Sequence, residues 1–185
     1  MSNFLQERGN YRGLVVFQKT ECIYDITYYF ANRYLAKGDR TVDQMIQAAR
    51  SGRQNIAEGS KASTTSREME IKLLNVARAS LQELLLDYED YLRVRGKEIW
   101  AKDNPKAVQT RQVCKKHSDS AYYREAIQTR SDEVICNTAI TLIHQADLLL
   151  GELITRCKDD FLQNGGIREE MTRARVEFRK KQQGW

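Results

Sequence analysis

Apolar positions recur along this chain at helical intervals, in four long stretches separated by polar breaks. Phe17, Ile23, Ile26, Phe30 and Tyr34 fall close to helical spacing, with Lys19, Asp25 and Arg33 between them, which predicts a first helix over 14–34. Gly38 and Asp39 break it. Thr41 or Asp43 then caps a second helix that runs through Met45, Ile46, Ala49 and Ile56 to a stop at Gly59, where glycine suits the left-handed conformation. The loop 60–66 is short and hydroxyl-rich, and Thr65 followed three residues later by Glu68 reads as the capping box of a third helix.

That third helix carries Leu74, Ala77, Leu81, Leu84, Tyr88 and Tyr91 at spacings of three and four, with Leu85 and Leu92 widening the stripe. Ser131 opens a fourth, whose seam passes through Ile135, Ala139, Leu142, Ala146, Leu149, Leu153 and Cys157 and ends near Phe161, before Gly165-Gly166. Seams of this length are buried in helix bundles. The pattern predicts an all-α, up-down four-helix bundle in a single domain over 1–185.

Two parts fall outside the four long helices. Residues 97–130 form an insert in which Asn104 as cap and Pro105 at the first helical position predict one short helix, and 122–129 another. After Gly165 comes an extension, 165–185, with an amphipathic helix over 167–181. No repeat of fixed period is present.

Composition agrees with a folded helical chain: one proline in 185 residues leaves nearly all of it free to be helical. The net formal charge of +5 is unevenly placed: +2 over 1–96, +4 over 97–130, −4 over 131–162 and +3 over 163–185. The basic excess therefore sits in the insert and the tail, which permits binding to nucleic acid or an acidic partner without requiring it. Cys22, Cys114, Cys136 and Cys157 form no C-x-x-C pair, so reduced thiols are the simplest reading. No uncharged apolar stretch is long enough to cross a bilayer, and the expected location is the cytoplasm.

The segments QMIQAARSGRQNIAEG at 44–59 and SREMEIKLLNVARASLQELLLDYEDYLRVR at 66–95 resemble the four-helix-bundle family that includes the 23S rRNA intervening-sequence proteins and the accessory variability determinant proteins of diversity-generating retroelements. The run Asn55 to Gly59, a Ser/Thr loop, and then Ala77 to Leu81 carry that resemblance. RTVDQMIQAARSG at 40–52 and GGIREEMTRAR at 165–175 are most similar to its branch of four-helix-bundle suffix-domain proteins. The resemblance implies an up-down bundle, self-assembly into a ring of five, association with nucleic acid or reverse transcriptase in some relatives, and no enzymatic activity. The better-known relatives are shorter, lacking the insert and the tail.

Candidate chemistry is sparse. Asn55 and Glu58 share a helical face and read as buried groups that orient neighbouring helices, with Arg50, Arg53 and Arg78 as available partners. Asp87, Glu89 and Asp90 cluster, but a bundle metal site needs facing carboxylates and an E-x-x-H pair, so a solvated Glu89–Arg93 pair is the better reading. His144 with Asp147, and Cys114 with His117, are each half of a metal site. No catalytic residue, cofactor or metal is expected. The terminal helix is the best functional candidate: Ile167, Met171, Ala174 and Phe178 share one face, and Arg168, Arg175 and Arg179 line the adjacent edge. Docking that stripe on the bundle would offer those arginines, with Arg173, Lys180 and Lys181, to phosphates, and the insert adds Lys115 and Lys116. The bland reading pairs the arginines with Glu152, Asp159 or Asp160. The expected function is a non-enzymatic oligomeric accessory or scaffold protein binding RNA, DNA or a nucleic-acid enzyme. The alternative is a protein–protein adaptor in which Trp100, Tyr122 and Tyr123 anchor a partner.

Overall fold

The computed structural model describes residues 10–182, and among these every regular element is helical. In chain order the α-helices are α1 (Val15–Tyr34), α2 (Arg40–Ala62), α3 (Arg67–Val94), α4 (Pro105–Lys116), α5 (Ser120–Ala126), α6 (Asp132–Asn164) and α7 (Ile167–Gln182), with short 3-10 turns at Tyr11–Gly13 and Ile127–Thr129. α1, α2, α3 and α6 make the bundle, each packing on two neighbours around a square. Its up-down sense follows from the ends. Tyr91, near the end of α3, hydrogen-bonds Asp132 at the start of α6, and Arg67 at the start of α3 reaches Asp160 near the end of α6.

The periodic residues form the core. Ile23, Ile26, Phe30, Leu81, Leu84, Tyr88, Leu92 and Leu142 are fully buried, while Leu149, Leu153 and Cys157 pack partly buried at its edge. Phe30 packs against Tyr88 and Tyr91 with ring centroids 5.2 and 4.8 Å away. A buried phenol needs a partner: Tyr88 donates to Thr27 Oγ1 at 2.9 Å, and Thr27 donates to the Ile23 carbonyl at 2.7 Å. Burial pushes the Cys22 thiol up to about 12 and the Cys157 thiol up to about 12, so both stay protonated at neutral pH. The most apolar part of the span 132–182 is long enough for a bilayer by composition, and half of it is buried in the bundle.

Three local expectations need correction. Gly59 does not stop α2, which continues to Ala62; it is a contact glycine, where an added Cβ would lie 3.4 Å from the Glu70 carbonyl oxygen. The cap of α2 is Asp39, accepting from Thr41 N–H at 2.9 Å, rather than Thr41 or Asp43. α3 is capped by Ser66, which accepts from Met69 N–H at 3.2 Å, rather than by Thr65, whose hydroxyl donates to the Ala62 carbonyl. The hydroxyl nearest the helical turn wins the cap.

Asn104 and Ser131 cap α4 and α6 as the sequence predicts. The insert is built onto the bundle by two polar clamps. Asn137 accepts Trp100 N–H at 2.9 Å and donates to the Glu98 carbonyl at 2.9 Å. Lys19, almost wholly buried, donates to the Cys114 carbonyl at 2.5 Å, placing a cation at the negative end of α4.

Two predictions follow from this packing. A Cβ at Gly52 would meet Leu81 Cδ2 at 2.8 Å inside the core, whereas one at Gly151 would meet nothing within 4 Å. Gly52→Val should therefore cost roughly 1–3 kcal/mol, and Gly151→Ala should add up to about 1 kcal/mol, both read by thermal or urea unfolding. Acid unfolding gives the second. Arg78 hydrogen-bonds Asp147 and holds its carboxyl below the usual range; burial pushes Asp132 up, but the Tyr91 hydroxyl, Lys97 and the Glu133 N–H together hold it low. Depressed folded-state values contribute stability above the unfolded value of 3.8 that is lost as pH falls through the folded one. Unfolding midpoints should fall below about pH 4, and Asp132→Asn with Asp147→Asn should flatten that fall.

Candidate nucleic-acid interface

α7 exists as a separate helix because Gly165, at φ +75°, ends α6 in a conformation that side chains disfavour. Gly166 N–H then donates to Glu169 Oε2 at 3.0 Å, and Glu169 and Glu170 sit in the first turn, where the helix dipole favours acids. Its attachment is polar. Arg67, whose side chain is 2% exposed, bonds the Asp160 carboxylate at 2.5 Å and its carbonyl at 3.1 Å, and also bonds Glu170 of α7. Arg173 adds a bond to the Asn164 carbonyl.

The apolar stripe is not buried against the bundle as expected: Ile167 and Ala174 are half-buried and the rest of it is open. No residue of α7 is buried, and Met171 and Phe178 are 54% and 61% exposed. The physical reason is the short link: α7 begins three residues after α6 ends, and Arg67 fixes its first turn beside Asp160, at the end of the bundle. Arg168, Arg173, Arg175, Arg179, Lys180 and Lys181 are all exposed. Among the described residues, Arg168, Arg175 and Arg179 form no ion pair with Glu152 or Asp159, and Asp160 is engaged by Arg67.

Lys115 and Lys116 are exposed in the last turn of α4, where cations suit the helix dipole. They do not join the α7 group. The hydrogen bond from Gln145 to the Arg111 carbonyl fixes α4 beside the middle of α6, and at 1.5 Å per residue Gln145 lies roughly 28 Å before Asn164. The two basic sets are separate surfaces.

The other candidates resolve into structure. Glu58 is exposed rather than buried, and Asn55 bonds the Ser51 carbonyl at 2.9 Å within its own helix. Arg53 lies over the Tyr24 ring, 4.4 Å from its centroid, and Arg78 grips Asp147 with two hydrogen bonds of 2.6 and 2.9 Å. Arg93 pairs with Asp90 at 2.6 Å, not with Glu89. Among the described residues no group of three or more His, Cys, Asp and Glu gathers to hold a metal. Tyr123, one of the aromatics expected to face a partner, is 2% exposed and donates to the His117 carbonyl at 3.1 Å, so it covers the bundle.

Arg67 is the residue sequence reasoning passed over. Its signal was a cation in the first turn of a helix, where the dipole opposes it, a position that makes sense only if acids from elsewhere arrive. Comparison with protein-family models, curated proteins and solved structures returns no match.

Replacing Arg67 by Ala should cost about 1–3 kcal/mol, the range for hydrogen bonds to charged groups that leave a partner unmet. It should also free the first turn of α7. Limited trypsin digestion checks the second point: cleavage after Arg168 and Arg173 should accelerate in the variant while the bundle stays intact.

Proposed function

We propose that this protein is a non-enzymatic accessory or scaffold protein of the cytoplasm that assembles with itself and binds nucleic acid, or an enzyme acting on it, through the basic surface of α7. The observation that carries the reading is the exposure of α7: Arg168, Arg175, Arg179, Lys180 and Lys181 are exposed on one helix beside the open side chains of Met171 and Phe178. Solvated cations lose little when phosphates replace water, and each contact releases condensed counterions. Lys115 and Lys116 extend the basic character elsewhere on the molecule. The resemblance of 44–59 and 66–95 to a family with nucleic-acid-associated members supports the same reading, and it is the source of the proposed ring of five.

Self-assembly has its own support. Leu85 and Leu92, which widen the α3 stripe, are buried within the protomer and so do not argue for it. Met69, Val76, Leu86 and Val94 do, since they leave apolar surface on the outside of α3, from 47% to 65% exposed. The open side chains of Met171 and Phe178 favour the adaptor as a second reading, because apolar side chains contribute to protein contacts and not to phosphate contacts.

The test separates these readings. Arg168→Ala, Arg175→Ala and Arg179→Ala together should weaken RNA or DNA binding similarly across sequences and flatten its salt dependence, with stability changed by no more than about 1 kcal/mol. Light scattering at micromolar concentration should return a multiple of 21.5 kDa. A parent that binds no nucleic acid at low salt, while Met171→Ser with Phe178→Ser abolishes capture of a protein partner, would move the adaptor reading ahead.

A further inference from the structure

The insert borders a half-open cavity that its role as a bundle cover does not require. It lies between α4, α5 and the first turns of α6, with a volume of about 330 Å³, within the size range of small-ligand sites. Trp100, Tyr122 and Tyr123 supply aromatic wall, and Ile127 and Ile135, both buried, supply apolar floor. The charged residues in the lining are Lys106 and Arg130, with no carboxylate among them. Lys106 Nζ stands 5.6 Å from the Trp100 ring centroid, so one cation is fixed over an aromatic face. Neither Lys106 nor Arg130 forms an ion pair among the described residues. Glu133, which accepts Trp100 Nε1–H at 3.4 Å, is an acid close by but lies outside the lining.

The walls are held from behind. His117 stacks on Tyr122 with ring planes 5° apart and centroids at 4.0 Å, and Tyr122 meets Tyr123 edge-on at 5.2 Å. Asn137 fixes the Trp100 backbone. A cavity whose aromatic sides are already oriented loses little entropy when filled. Two cations uncompensated within the lining set the sign of what fills it.

We propose that this cavity binds a small aromatic carboxylate of one or two fused rings, its ring against Trp100 and Tyr122 and its carboxylate at Lys106 and Arg130. The cations provide charge-assisted hydrogen bonds, and Arg130 matches a carboxylate's two oxygens. Gln109 and Thr110 add uncharged donors at the same wall. This site is independent of α7 and of nucleic-acid binding.

Isothermal titration of the full chain with 2-naphthoate, its neutral amide and the corresponding naphthylmethylamine tests the proposal. The parent should bind naphthoate saturably, one per chain, at least about tenfold tighter than the amide, and the amine weakest. Lys106→Glu with Arg130→Glu alters two exposed side chains, so the fold should survive, as its melting curve will show. That variant should lose about tenfold or more for naphthoate and keep its affinity for the amide. Ala126→Phe, which fills the cavity, should remove binding of both, while the triple arginine variant of α7 should retain it. Absence of saturable binding to the parent at millimolar naphthoate, equal affinity for the three probes, or an unchanged affinity in the charge-reversed variant would each overturn the proposal.

Discussion

A guanidinium taken almost wholly out of water has to be met by acids, and meeting Arg67 decides how this chain ends. Arg67 sits in the first turn of α3, where the helix dipole opposes a cation, and its side chain is buried. Asp160 answers from α6 and Glu170 from α7. Those bonds close the bundle at one end, setting the height of α6 against α3. They also set where α7 starts and which way its first turn faces.

What α7 exposes follows from that latch being at one end only. Beyond Glu170 the helix has no buried residue, so Met171 and Phe178 remain available together with Arg175, Arg179, Lys180 and Lys181. A stripe docked on the bundle would have left a one-sided basic edge, whereas the free helix presents both chemistries. The insert has the opposite character. Lys19, Asn137 and Tyr123 tie it down along its length, and the tied walls border a half-open cavity rather than presenting an arm.

Much of this was legible in sequence where local rules and periodicity suffice. The seams of α1, α3 and α6 are core because three-and-four spacing can place them on one face and nowhere else, and Asn104-Pro105 and Ser131 cap helices because their chemistry is local. The errors came where one residue type serves two purposes. Gly59 has the composition of a helix stop but is used for close approach to α3, and Thr65 and Ser66 are interchangeable in a capping pattern until the turn geometry chooses one. The docking of α7 failed for a different reason: amphipathicity identifies an apolar face but not the surface that covers it. Arg67, linked to residues 93 and 103 positions away, and the cavity beneath the insert are products of tertiary contact.

The account turns on α7 being a folded helix held through its first two turns by Arg67 and Arg173, with no buried residue beyond them. Hydrogen–deuterium exchange read by mass spectrometry, on the full chain with and without a short single-stranded RNA, tests this most directly. The account predicts slow exchange in the cores of α3 and α6 in both states. Peptides from 171–182 should exchange fast in the free protein and become protected when RNA is added at low salt. Strong protection of 171–182 in the free, dilute protein, unchanged by RNA, would contradict it.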